Sequence, residues 1–581
     1  MNPGSSTDNP LYKIYTYTEA NLQLCLCDDE PSWVLYDPKT GKKLNFLFLC
    51  SYLQEIKAAY IVHELTYVDE DFLQDHSAYY AKCYESYPRH CQRLHFFRDG
   101  FTKENFEELL TEDFPGSKSQ KNSKSKEKVK VLNDVYIGFI VIRQIATCRI
   151  GRTCLATYNE ETQSGGKRYY STAHIYHANL FGIPLTVKTL AFQEQDHGVA
   201  ACATSALWSA LNATGRYFHH TIPSPVEITE TANEVHSFSR KFPSEGLNSW
   251  QMLHVLHKYG IQPVVCNIDR DMAHFLGHIY AYARCSLPII LNMGLFSEKE
   301  SEYGATKFKY LGDHSVVVSG YAIDEQESKA PLAIDSDVGN HSVLNLYAEN
   351  INRIYAHDDG VGPFSRIFIY DSRGKKGSMI RTRLMAELQD ETQKKFVESA
   401  GFFLQSGINN DLEDAKLRIG IHKVHIVPIH YSMRLTFDDI TKICTLFYAE
   451  YLMMGCSMGL IDSWDIYITP VNKFKKRIFR SDIQFSGDLR KSILTSPFPK
   501  YLWVVSGYQC NEKNKMEVLR LVFDATDINF VNSLRHIFVG GGWSVVGLRT
   551  IIANLKKQEN IITFNNWRTS NPKPIEEMTN V

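Results

Sequence analysis

The stretch Gln193–Leu211, QEQDHGVAACATSALWSAL, constrains this chain more than any other. Asp196 and Gly198 read as a loop, after which Val199, Ala203, Leu207 and Leu211 recur at helical spacing. A helix this rich in alanine and leucine belongs inside a fold. Cys202 falls in its first turn. Unpaired N–H groups and the positive end of the helix dipole stabilise a thiolate there. The same N–H groups suit a developing oxyanion. The plainer alternative is a small core cysteine in an alanine-rich helix.

A second run, Asp313–Tyr321 (DHSVVVSGY), places His314 at the opening of a β-prone strand that ends at Gly320. After a polar hairpin (Asp324–Lys329), Pro331–Asp335 (PLAID) reads as the next strand and ends in Asp335. A carboxylate there can accept the imidazole N–H and fix its tautomer. Asp337 is near enough in sequence to compete. A rival acid, Asp358, follows a short strand within Ile354–Phe364 (IYAHDDGVGPF). His357, Asp358 and Asp359 also have the composition of a divalent-cation site, although a polar loop with Asx turns explains them more simply. In order along the chain, the set serves nucleophilic acyl transfer. Cys202 attacks a carbonyl carbon, His314 takes and returns the proton, and Asp335 orients His314. Gln193 or Gln195, both just before the helix, assists the oxyanion.

These residues resemble the papain-like cysteine peptidase superfamily, and within it the bacteriocin-processing (double-glycine) peptidase-like branch. In that branch a Gln precedes the helical Cys, a strand begins His-x-Val-Val and reaches a Gly, and an Asp ends the next strand. LAIDSD is similar to the branch's Asp-Pro turn, with Ser336 where Pro is usual. The resemblance covers about residues 193–373. It implies a thiol hydrolase that cleaves peptide or isopeptide bonds in a protein or peptide substrate, without metal or other cofactor. The same triad also serves transglutaminase-like and amidase acyl transfer, and a papain-like scaffold can act as a silent binding or sensor module.

At 581 residues the chain exceeds a single core. The fold class expected is α+β and multidomain, with a papain-like central domain, a Cys-bearing helix and an antiparallel sheet carrying His and Asp. Residues 1–115 read as a mixed α/β accessory region and 116–131 as a flexible Lys/Ser-rich linker. Residues 132–192 read as a β-rich lead-in, 193–373 as the central domain, 374–570 as a C-terminal α/β domain and 571–581 as a tail. Leu44–Cys50, Ala59–Val62 and Asp134–Arg143 are expected strands. Asp71–Tyr87 and Leu435–Leu452 are expected helices. The accessory regions suggest a regulatory protein partner or homo-oligomer.

Lys and Arg total 63 against 65 Asp and Glu, a net charge of −2. This argues against a dedicated nucleic-acid binder, leaving only the lysine run Lys118–Lys130 for that role. No apolar stretch reaches the ~20 residues that span a bilayer, and MNPGSSTDNP is not a signal peptide. Thirteen cysteines, an odd number, argue against a disulfide framework. These features place the chain in the cytoplasm. Cys83, His90, Cys91 and His95 lack zinc-ligand spacing, and Gly540–Gly542 lacks the Lys-Ser/Thr of a phosphate loop.

Overall fold

The computed structural model describes residues 11–27, 36–37, 41–42, 44–111, 121–145, 148–162, 165–196, 198–199, 201–235, 246–267, 271–300, 306–323, 344–406, 418–453, 461–480, 487–511, 514–528 and 533–539. It is mixed α+β, with several antiparallel sheets. The chain divides into two compact units. The first comprises Met1–Met272, Ser286–Gln326 and Ile351–His430, and the second Ala273–Cys285, Glu327–Asn350 and Tyr431–Val581.

The first unit holds two main sheets. One has five antiparallel strands in the order Tyr12–Thr16, Tyr60–Tyr67, Cys91–Phe97, Tyr136–Ile142, Ile150–Leu155. Its fourth strand, YIGFIVI, is buried at every position, which explains its unbroken apolar run.

The other sheet runs Ile261–Asn267, Arg418–His430, Ile289–Glu300, Thr306–Ile323, Ile351–Asp358, Gly362–Asp371, Phe402–Ser406. Phe402–Ser406 also pairs with Arg418–His430, so six of these strands close into an antiparallel barrel. The helix Cys202–Phe218 packs against the strand Thr306–Ile323. One apolar core runs from the N-terminal elements (Leu22, Phe48, Phe96) through that helix (Leu207, Trp208, Leu211) to Val317 and Tyr355.

The second unit is built on a four-stranded antiparallel sheet, Ser463–Pro470, Tyr501–Asn511, Asn514–Asp524, Leu534–Val539. Among its helices are Met272–Ala283 and Phe437–Met453. The Trp503 indole N–H donates to the Leu435 carbonyl at 2.9 Å.

Three expectations change. Leu44–Cys50 is helix, part of Leu44–Glu55, with Phe46, Phe48, Leu49, Tyr52 and Leu53 buried. The run LNFLFLCSYLQE contains no β-branched residue, and a short apolar run does not tell helix from strand by period. The Lys/Ser-rich segment is helical over Lys121–Asp134, since lysine and glutamate are good helix formers. Leu132 of that helix is buried, and Lys128 pairs with Glu108 at 3.0 Å. Residues 112–120 lie outside the described residues.

The third change concerns His314, which stands well inside the strand Thr306–Ile323 rather than at its mouth. The register against Ile289–Glu300 shifts at Leu295/Phe296, opposite Gly312, whose φ is +110°. A bulge at Gly312 lets the strand continue on both sides of it. Among the described residues, no helix is long and apolar enough to cross a membrane.

Candidate active site

Cys202 is the first residue of its helix and is half-buried. The N-cap residue, Ala201, is extended and offers no side-chain hydrogen bond, so no side chain caps this helix start. The loop before it is held from within. Asp196 Oδ1 accepts the Gly198 and Val199 N–H groups at 3.0 and 2.8 Å. Buried Arg143 lies 3.6 Å from Asp196 Oδ2 through Nη1 and donates from Nη2 to the Glu194 carbonyl at 2.9 Å. Phe192 bridges to Thr153. The loop is thus tied to the five-stranded sheet, which fixes where the helix begins.

His314 reaches the same place from the barrel. Its Nε2 lies 2.8 Å from Asp358 Oδ1, and the Cys202 thiol is near enough to act on the same imidazole. With Nε2 engaged by the carboxylate, Nδ1 is the nitrogen left for the thiol. Asp358 ends the strand Ile351–Asp358, just before the turn to Gly362–Asp371. Its carboxylate accepts the Gly360 N–H at 3.0 Å and Arg418 Nη1 at 2.9 Å. The pair is almost fully enclosed, with His314 8% exposed and Asp358 1%.

The charges follow from this enclosure. Burial works against the imidazolium of His314, but Asp358, by charge and hydrogen bond, outweighs it. With smaller help from Cys202 and Asp359, the group is pushed up to about 10. Burial alone would raise Asp358. Arg418 first and His314 second reverse that and hold it well below the usual carboxylate range. Asp359 moves the other way, since burial and the charge of Asp358 raise it. Asp359 Oδ1 is 3.7 Å from His314 Nε2, and both of its carboxylate oxygens are buried without a hydrogen-bond partner.

Of the two candidate glutamines, Gln193 is 4% exposed, and its amide nitrogen is buried with no hydrogen-bond partner. Gln195 is half-buried. Asp335 and Asp337 lie outside the described residues. Among the described residues, the acid nearest His314 is Asp358.

His357 is no metal ligand. Its Nε2 donates to the Leu190 carbonyl at 3.0 Å and its Nδ1 accepts the Phe364 N–H at 3.1 Å. Burial lowers it to about 3, which keeps it neutral. Cys91 and His95 are buried on one strand, with His95 Nδ1 2.9 Å from the Tyr136 hydroxyl.

Two positioning residues escaped the sequence reading. Arg418 lies 60 residues beyond Asp358 on a different strand, and no spacing rule links them. Arg143 ends the run DVYIGFIVIR and reads there as an ordinary strand terminus. Only the burial of each guanidinium reveals its role.

No family model, no curated protein and no solved structure matches this chain.

Proposed function

We propose that the chain is a thiol hydrolase acting on peptide or isopeptide bonds, with Cys202 as nucleophile, His314 as acid and base, and Asp358 as the orienting acid. One observation carries the reading. A buried imidazole is held through Nε2 by a carboxylate at 2.8 Å, beside a thiol at the start of an uncapped helix.

The Cys202 thiol gives its proton to His314 as its sulfur bonds to the substrate carbonyl carbon. The oxyanion that forms takes N–H donors from the helix start and from the free amide of Gln193. With His314 raised to about 10, the imidazole carries its proton at neutral pH and delivers it to the leaving nitrogen as the C–N bond breaks. Water then attacks the thioester, giving its proton to His314 and releasing the Cys202 sulfur. Asp358, fixed by Arg418, keeps the ring in line throughout.

A helix bearing the thiol packed against an antiparallel barrel bearing the histidine supports the papain-like reading. The described cysteines are free thiols, which supports a reducing, cytoplasmic setting. The substrate is a protein or peptide.

The test is iodoacetamide labelling across pH 5–9, read by peptide mass spectrometry, alongside peptide-library cleavage, on wild type, Cys202→Ser and His314→Ala. Selective, His314-dependent labelling of Cys202 together with Cys202-dependent cleavage is expected. Uniform labelling and full cleavage by Cys202→Ser would sink the assignment. Ammonia release without chain cleavage would redirect it to amine acyl transfer.

A further inference from the structure

The second unit gathers another set of polar side chains. His274 and His278 are four residues apart on the helix Met272–Ala283, so both project from one face. Asp438, in the first turn of Phe437–Met453, meets them. His274 Nε2 lies 2.7 Å and His278 Nε2 3.2 Å from the same oxygen, Asp438 Oδ1. The three candidate donor atoms all lie within 4.8 Å of one another.

We propose that His274, His278 and Asp438 form a divalent transition-metal site, matched best to zinc, that ties these two helices together. The orientation of His278 argues for it first. Its Nδ1 donates to the His274 carbonyl at 3.1 Å, which fixes the ring and aims Nε2 at Asp438. An outer hydrogen bond of this kind is what sets a metal-binding histidine's tautomer.

The spacing argues for it next. A tetrahedral ion about 2.0–2.1 Å from each ligand holds the ligands roughly 3.3 Å apart. The 3.2 Å separation already fits, and the 2.7 Å one needs to open by about half an ångström. The surroundings also suit an ion. His278 is fully buried, with the Phe437 ring 4.7 Å away and Tyr282 stacked at 6.1 Å. The His274 and Asp438 side chains are 33% and 40% exposed, which leaves an entry path and a fourth position for water.

Two imidazoles and a carboxylate, with no thiolate, form a donor set suited to zinc, and one that copper and nickel also accept. Among the described residues, no lysine or arginine pairs with this carboxylate. The partners of this carboxylate are therefore the two imidazoles, either directly or through a metal ion held between them.

The experiment separates these two. Full-length protein is stripped with chelator and dialysed. Zinc is then titrated with metal analysis, and cobalt(II) with visible absorption, on wild type, His274→Ala and Asp438→Asn, with circular dichroism confirming that each variant folds. We expect one tight zinc per wild-type chain and a rise in unfolding temperature on binding. The cobalt bands should be those of a nitrogen–oxygen four-coordinate ion without thiolate charge transfer, and either variant should lose about 100-fold or more in affinity. Cobalt bands with thiolate character, zinc bound equally well by His274→Ala and Asp438→Asn, or no stoichiometric zinc on the wild type would each overturn the proposal. Asp438→Asn is nearly isosteric, so it tests the ligand even if His274→Ala perturbs the helix.

Discussion

The two units each bring histidine to aspartate, but they complete the arrangement differently. Around Asp358, a guanidinium takes one carboxylate oxygen and a single imidazole the other, leaving that imidazole's second nitrogen to the thiol. Around Asp438, two imidazoles converge on one oxygen and no guanidinium joins them among the described residues. The first carboxylate is saturated by the protein's own cation, so its histidine is free to move protons. The second carboxylate has two imidazoles and no guanidinium beside it among the described residues, so its histidines are arranged to hold something. Burial separates them too. Asp358 is enclosed, whereas the Asp438 side chain is 40% exposed.

The largest effect expected falls on the thiol. Cys202→Ala should lower turnover by about 10⁴-fold or more, since removing one member of a nucleophile–base pair removes the function of both. Progress curves on a cleaved peptide check this. Next comes stability. Asp358→Ala leaves Arg418 and His314 buried without their counter-charge and should cost about 3–5 kcal/mol in urea unfolding. Asp438→Ala removes a part-exposed carboxylate that has one part-exposed and one buried imidazole for partners, and should cost less, about 1 kcal/mol in metal-free buffer. Equal costs would break the comparison between the two carboxylates.

The pH dependence is sharper still. His314 is raised, so its contribution to stability is complete below about 6.5, its unfolded-state value, and is lost as pH climbs through about 10. Asp358 is lowered, so its contribution is complete above about 3.9 and is lost as the medium becomes more acid. The alkaline limb of the activity profile should therefore sit near pH 10, and in Asp358→Asn it should fall toward about 6.5. The smallest effect belongs to Asp359→Asn. Asp359 is the least of the groups raising His314, so a slight downward move of the same limb is expected, with turnover within about tenfold of wild type.

Much of the first unit was legible from residue type alone. DVYIGFIVIR is a strand because β-branched and aromatic residues crowd it. The Cys202 helix announced itself by spacing, but Asp358 was legible only as a rival to Asp335, which lies outside the described residues. What failed was local ambiguity. Leu44–Cys50 is apolar on too many sides for a period to show. His314 looked like the opening of a strand, when the bulge at Gly312 lies in the middle of it. Arg418 was illegible for a different reason. Its partnership with Asp358 exists only because the barrel closes, and closure is a property of sheet order rather than of any window of sequence.

That closure also sets a schedule. Arg418 pairs with Ser406 on one side and with Ser297 on the other, where the last barrel strand returns to the first, 60 residues after Asp358 has been synthesised. A chain still emerging from the ribosome, short of residue 418, already carries the thiol, the imidazole and the acid, but not the guanidinium that locks the acid in place. The completed site is therefore born late, after the barrel has joined, and the nascent polypeptide beside it is translated before the site can be finished.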